Sequence, residues 1–344
     1  MQSRLLAIQR RSSDSTQVVH LKGVPPTGIR RSDTRATIRP RSNVIGLLEF
    51  FIHERELLPG LGDDAAHKLA AMMRISAISY LNTAPLLWDF EHGSAGPLFE
   101  IGYTVPSQCA AELAEGTADI GIIPAAAYTT VPDLSILPGI AIASRQPVRS
   151  ILLISEKPLE QIRTVALDSS SLTSVALLRI LFEKFWGGDR RYTSRSPHLQ
   201  EMLDQHDAAL LIGDPALKVD RSRYRTWDLA EEWIRVTQKP FVFAFWAVRK
   251  QALGNTNLDL ASIFQESRSH GLLPQNLDAI AETWAPKLGI SENEVRGYLT
   301  TNIHYFLDEA CLEGLYLFYR YAAECKVLPQ TPELHFLETK PALT

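Results

Sequence analysis

The chain is 344 residues long, 45% hydrophobic and 22% charged, with a formal net charge of −4. That is a folded protein of about two domains at roughly 150 residues each, which excludes wholesale disorder, and the charge excludes a general nucleic-acid or polyanion binder. No apolar run approaches the roughly 18 residues of a membrane-spanning helix, and the longest near the start, Val44 to Ile52, is interrupted by Glu49.

Charge is unevenly spread. The first 41 residues hold eight arginines and Lys22 against Asp14 and Asp33, a net +7 that leaves −11 on the remainder. With Pro25, Pro26, Pro40 and many Ser and Thr, this leader reads as disordered. Arg10-Arg11 is followed by polar residues where an export signal needs an apolar segment. Met72 or Met73 stands directly before a strand-like run, so residues 1–72 read as a basic extension or an over-long gene start.

From Arg74 the pattern changes. Arg74–Ser79 alternates as a strand does, and Tyr80–Pro85 is a turn before a helical stretch at Leu86–Phe90. Pro106–Glu115 reads as a helix with Ser107 as N-cap and Gly116 as its stop. Asp119–Ile123 and Ser150–Ser155 are short apolar strands. Val165–Leu167, Asp168–Leu172 and Thr173–Phe185 read as strand, polar loop and helix. Asp207–Ile212 is a strand ending in Gly213-Asp214, and Phe241–Val248 is an aromatic-rich strand. Beyond it the pattern is helical to about Leu328. Short apolar strands alternating with helices predict parallel α/β sheets in two lobes, with ligands held beyond the carboxyl ends of the strands.

Those strand ends repeatedly carry small polar residues. Ser170, Ser171, Thr173 and Ser174 crowd the start of the helix at 173, where free backbone N–H groups and the positive end of the dipole favour an anion. The plainer alternative is simple N-capping. Ser79, Tyr80 and Asn82 follow the first strand, and the Asn82 amide either closes a turn on its own backbone or both donates and accepts within a cleft. Ser144, Arg145, Arg149 and Ser150 precede another strand, in a loop that is either solvated or a second anion site. Asp214 is either a ligand contact or a cap for the segment after it. No glycine-rich phosphate loop, Gly-x-Gly-x-x-Gly, His-Glu-x-x-His or Gly-x-Ser-x-Gly occurs. Cys109, Cys311 and Cys325 are an odd number without Cys-x-x-Cys spacing, so neither a disulfide framework nor a zinc site is supported, and a reducing cytoplasm is the expected location. The residues alone describe a two-lobed α/β protein that binds a small anion without cofactor or metal.

Ser79-Tyr-Leu-Asn-Thr-Ala-Pro-Leu86, Ser171-Leu-Thr-Ser-Val-Ala-Leu-Leu178, Asp207-Ala-Ala-Leu-Leu-Ile-Gly-Asp214, Pro240-Phe-Val-Phe-Ala-Phe-Trp246 and the tail motifs Tyr298–Phe306 and Leu312–Tyr319 together resemble the chorismate dehydratases of the futalosine route to menaquinone. The resemblance spans about residues 73 to 330. It implies a type 2 periplasmic-binding-protein-like fold with a ligand cleft between the lobes. One lobe is expected at 73–154 plus 241–330, the other at 155–240, with 331–344 as a tail. It further implies a cofactor-free lyase that removes water from chorismate to give 3-(1-carboxyvinyloxy)benzoate. Asn82 and Ser150 are the expected catalytic groups. Ser79, Tyr80, Ser144, Ser171, Thr173, Ser174, Gly213 and Asp214 are the expected substrate contacts, with the helix start at 171–174 and the loop from Ser144 to Ser150 each taking a carboxylate. Pro124-Ala-Ala-Ala-Tyr128 stands where, by the resemblance, many relatives carry Ser-Ser-Ile-Glu-Tyr, so the serine hydroxyl contacts of that loop are not expected here. The alternatives are a transporter's solute-binding protein, and the sister enzyme that releases a dihydroxynaphthoate later in the same route.

Overall fold

In a computed structural model, residues 72–254 and 256–338 are described. The expected basic extension, Met72 apart, lies outside the described residues. The first sheet contains β1 (Met73–Ile78), β2 (Phe99–Thr104), β3 (Ile120–Pro124), β4 (Leu134–Ser144) and β10 (Phe241–Arg249), in the order β2-β1-β3-β10-β4. The second contains β5 (Ile151–Ser155), β6 (Thr164–Asp168), β7 (Arg191–Arg195), β8 (Ala208–Ile212) and β9 (Arg225–Asp228), in the order β7-β6-β8-β5-β9. The two orders repeat one plan.

Neither sheet is wholly parallel, contrary to the expectation from the apolar runs. β1 runs parallel to β2 and β3, and β6 parallel to β7 and β8, but β10 is antiparallel to β3 and β4, and β5 is antiparallel to β8 and β9. β5 and β10 are the strands that enter a sheet directly after the chain has crossed from the other lobe. The boundary expected at 154 falls inside β5, which is wholly paired within the second sheet; the first crossover is therefore the loop from Arg145 to Ser150.

Burial follows sequence pattern. β3, β5 and β8 are buried along their whole length, and β10 is buried from Phe241 to Val248, as unbroken apolar strands covered on both faces must be. Phe264, Trp246, Phe90 and Phe99 form an aromatic cluster on the first sheet, mostly edge-to-face, with centroids 4.8 to 5.9 Å apart. Helix α1 (Pro106–Glu115) ends at Gly116 in the left-handed conformation, as expected, but Val105 and not Ser107 occupies its N-cap. Pro106 has no N–H to satisfy and its fixed φ starts the helix one residue early. The Ser107 N–H instead donates 3.1 Å to the Ser170 carbonyl of the second lobe. The C-terminal helix (Glu309–Glu324) lies against β10 through Gly314, where an added Cβ would stand 2.1 Å from the Pro240 carbonyl oxygen. The expected tail is bonded to the first sheet: Ile136 and His335, and Leu337 and Ile136, exchange backbone hydrogen bonds of 2.8 Å.

Candidate active site

The carboxyl ends of the parallel strands of both sheets converge on one cavity with an empty volume of about 480 Å³, counting its open mouth. Ile78, Tyr80 and Asn82 follow β1, Pro124 ends β3, Ser171 to Ser174 follow β6, and Ile212 and Gly213 end β8. Phe243, Ala244 and Ile142 supply an apolar floor from β10 and β4, and Ser150 enters from the first crossover. This is the place where open α/β sheets bind ligands.

Asn82 sits in a 3-10 turn (Leu81–Leu87) that leaves β1. Its Oδ1 is buried and has no partner among the described residues. Leaving an acceptor so costs about 1–3 kcal/mol, a cost a ligand's donor would remove. Ser150 is 1% exposed and its Oγ receives a 2.8 Å hydrogen bond from the Tyr298 hydroxyl. Tyr298 is 1% exposed, and burial pushes its phenol far above the usual range, so it stays a neutral donor.

The hydroxyl run at the second-lobe helix α2 (Thr173–Leu181) divides by role. Ser170 is held mainly locally, its N–H and Oγ both reaching Asp168 Oδ1 at 2.9 and 2.6 Å, while its Oγ lies 3.4 Å from the Tyr80 hydroxyl of the first lobe. Thr173 is spent between lobes, its Oγ1 accepting from the Ala126 N–H at 3.1 Å and donating to the Phe243 carbonyl at 3.0 Å. The Ser171 and Ser174 hydroxyls have no side-chain hydrogen bond among the described residues and line the cavity with the first free amides of α2. These are the groups open to an anion. Leu172, not one of the serines, occupies the N-cap, and no side chain caps the helix.

Tyr80, Gly213 and Asp214 join the lobes. Gly213 has φ +62°, and a Cβ there would meet the Tyr80 ring at 2.6 Å, so glycine serves both the backbone and the close approach. Asp214 Oδ1 accepts from the Leu81 N–H at 3.0 Å, and burial pushes its carboxyl up to about 6. The first crossover is clamped by Asp228, which is 4% exposed. Its carboxylate accepts from Val148 at 3.2 Å and Arg149 at 2.6 Å while capping the following helix α3 (Leu229–Thr237) through Ala230 and Glu231. Arg149, held in the left-handed region at φ +64°, directly precedes Ser150.

A model of the menaquinone biosynthesis family matches residues 73–324. The chain belongs to that family. It is 31% identical over 271 residues to a chorismate dehydratase of Thermus thermophilus, covering 74% of this chain and 94% of the relative. A protein of Archaeoglobus fulgidus shares the fold at 16% identity and a TM-score of 0.58, over 74% of this chain and 97% of its own. So does the periplasmic aliphatic sulphonate binding protein of Escherichia coli, at 16% identity and a TM-score of 0.55, over 79% and 95%. The two lobes with their mixed five-stranded sheets are therefore the type 2 periplasmic-binding-protein fold, as the resemblance implied.

In this member of the menaquinone biosynthesis family, Asn82, Ser150, Tyr80, Ser171, Thr173, Ser174 and Gly213 line the cavity together. Three expected contacts do not. Ser79 is exposed and faces a separate hollow with Trp88 and Trp284. Ser144 is fully buried, its Oγ donating to the carbonyls of Gln146 and, at 3.0 Å, Asn302, because a buried hydroxyl beside a chain crossing is consumed by backbone. The Asp214 carboxylate is taken by Leu81, so it is neither a lining group nor a cap for its own segment. Arg145 pairs with Asp308, so of the loop expected as a second carboxylate site only Ser150 reaches the cavity. His304, Asp308 and Cys311 lie close enough to hold an ion, but Asp308 already caps the C-terminal helix and pairs with Arg145 and His304, which leaves the cluster a structural explanation. Sequence reasoning missed Tyr298 as a site residue although it opens one of the quoted motifs; nothing local to it signals a bond to a residue 148 positions away. The backbone of the Ala125–Tyr128 loop was also unforeseen: the Tyr128 hydroxyl accepts from the His335 N–H at 3.0 Å, while the Ala126 N–H reaches the second lobe.

Proposed function

We propose that this chain is a chorismate dehydratase, eliminating water from chorismate to give 3-(1-carboxyvinyloxy)benzoate in the futalosine route to menaquinone. Family membership and the Thermus thermophilus relative support menaquinone chemistry. The observation that carries the finer reading is the Asn82 amide oxygen, buried and unpartnered among the described residues, in a cavity whose other polar groups are the Tyr80, Ser150 and Thr173 hydroxyls and the free start of α2. One substrate carboxylate binds the amides of α2 with Ser171 and Ser174. Asn82 and Ser150 align the hydroxyl that leaves.

The reaction needs little beyond orientation. One C–H and the neighbouring C–O bond of the ring break, the new ring double bond forms between those carbons, and proton and hydroxide depart as water. Charge developing at the carbon that loses its proton delocalises through the diene to the ring carboxylate, and aromatisation drives the step. Among the described residues no histidine or glutamate lines the cavity; the enolpyruvyl carboxylate of the substrate itself serves as base. Fixed dipoles and a held near-attack geometry then supply the rate, at about 1.4 kcal/mol per tenfold.

The test is incubation of the purified chain with chorismate, followed by ultraviolet spectra and chromatography. Loss of chorismate with growth of the benzoate supports the reading. Persistence of chorismate refutes it, and turnover only of a cyclised futalosine derivative assigns the chain to the sister reaction. A chorismate ester blocked at the enolpyruvyl carboxylate should bind and not react; normal turnover of that ester removes the substrate from the role of base.

A further inference from the structure

The segment Tyr298–Asn302 is a π-helical turn, a rare form that occurs mostly as single-turn bulges, frequently at functional sites. It is stitched to the first crossover along its length. The Asn302 carbonyl accepts from Ser144 Oγ at 3.0 Å, Asn302 Nδ2 donates to the Pro147 carbonyl at 2.8 Å, and the Gln146 amide donates to the Thr301 carbonyl. Tyr298 lies at the head of this turn, with its hydroxyl 2.8 Å from Ser150 Oγ.

A serine hydroxyl has one proton and two lone pairs. A phenol is the more acidic partner, so Tyr298 donates and Ser150 accepts. Ser150 makes no other side-chain hydrogen bond among the described residues, so its own proton is left to point into the cavity that it lines. Hydrogen bonds in series polarise one another, most strongly where water is excluded. We propose that Tyr298 is a positioning residue for the elimination: its O–H fixes the Ser150 hydroxyl as a donor to the departing hydroxyl of the substrate and strengthens that donation as negative charge builds on the leaving oxygen. Tyr298 never touches substrate. This inference rests on the dehydratase reading, since it needs a leaving oxygen in front of Ser150.

The experiment is steady-state turnover of chorismate by the full chain with Tyr298→Phe, Ser150→Ala and the double variant. Tyr298→Phe keeps the ring and its packing, and its thermal melting and substrate affinity should stay near wild type. Its kcat should fall about 10- to 100-fold with KM changed less than about threefold, the size of one lost charge-assisted hydrogen bond in the transition state. The double variant should be no slower than Ser150→Ala alone, because Tyr298 acts through Ser150. A fluorotyrosine placed at 298 keeps the O–H and should restore turnover, and it tests the role even where the Phe variant folds poorly. Full kcat in Tyr298→Phe, a loss confined to KM, additive losses in the double variant, or no recovery with fluorotyrosine would each overturn the inference while leaving the dehydratase reading intact. A wild-type chain that leaves chorismate untouched overturns both.

Discussion

Replacing Asp228 by alanine tests whether the first crossover is held by one carboxylate. Four backbone N–H groups converge on it, from Val148 and Arg149 in the crossover and from Ala230 and Glu231 in the first turn of α3. Loss of the cap costs about 1 kcal/mol, and leaving the two crossover amides without their acceptor costs about 1 kcal/mol each. Burial pushes the Asp228 carboxyl above the usual carboxylate range, so its removal also relieves a desolvation cost and trims the total. The net loss should be about 2–3 kcal/mol, a large share of the roughly 5–15 kcal/mol that holds a native protein. Urea unfolding of both proteins, with unchanged slope, measures it. Since Arg149 would then be free to leave its left-handed conformation, Ser150 should lose its aim, and turnover should fall further than substrate affinity. A stability loss below about 0.5 kcal/mol would refute the clamp, because four amides cannot lose a buried acceptor at so small a cost.

On the dehydratase reading proposed above, Asn82→Ala should lower turnover of chorismate by about a hundredfold while weakening binding much less; steady-state kinetics separate the two. Thr173→Val leaves the Ala126 N–H and the Phe243 carbonyl unpaired between the lobes, so KM should rise and unfolding should show a loss of about 1–3 kcal/mol. Asp214 titrates at about 6 in the folded chain against 3.8 when unperturbed. In that window the native state binds the extra proton, so the Asp214 contribution to stability falls as pH rises from about 4 to about 6 and is fully lost above it. Carbon-13 NMR of the Asp214 carboxyl should give the midpoint, and Asp214→Asn should flatten that part of the stability profile.

What was legible in the sequence divides along physical lines. β3, β8 and β10 are apolar runs bounded by turn residues, and such runs announce themselves. β2, β7 and β9 lie at sheet edges with at most one buried residue each, so no apolar pattern marks them. Strand direction was also hidden, because an apolar run reads the same whichever way its neighbour points, and the boundary at 154 implied by the resemblance placed β5 in the first lobe. In the cavity, the helix start at 171–174 and Asn82 were readable because helix ends and turns carry local chemistry. The fates of Ser144, Thr173 and Asp214 were not, since each hydroxyl or carboxylate is claimed by backbone far along the chain: Asn302, Ala126 with Phe243, and Leu81.

β4 is the outermost strand of its sheet, with one row of peptide groups facing away from β10. That row is not bare. The Ala141 N–H donates to the Tyr305 carbonyl, Ala143 and His304 exchange hydrogen bonds in both directions, and Ile136 does the same with His335 and Leu337. Two short pieces of irregular chain thus blunt the rim against templated association, in the way that natural sheets guard themselves from fibril growth. A variant cut before His335 would bare half of that rim, and its first symptom should be clumping at high concentration rather than slower chemistry.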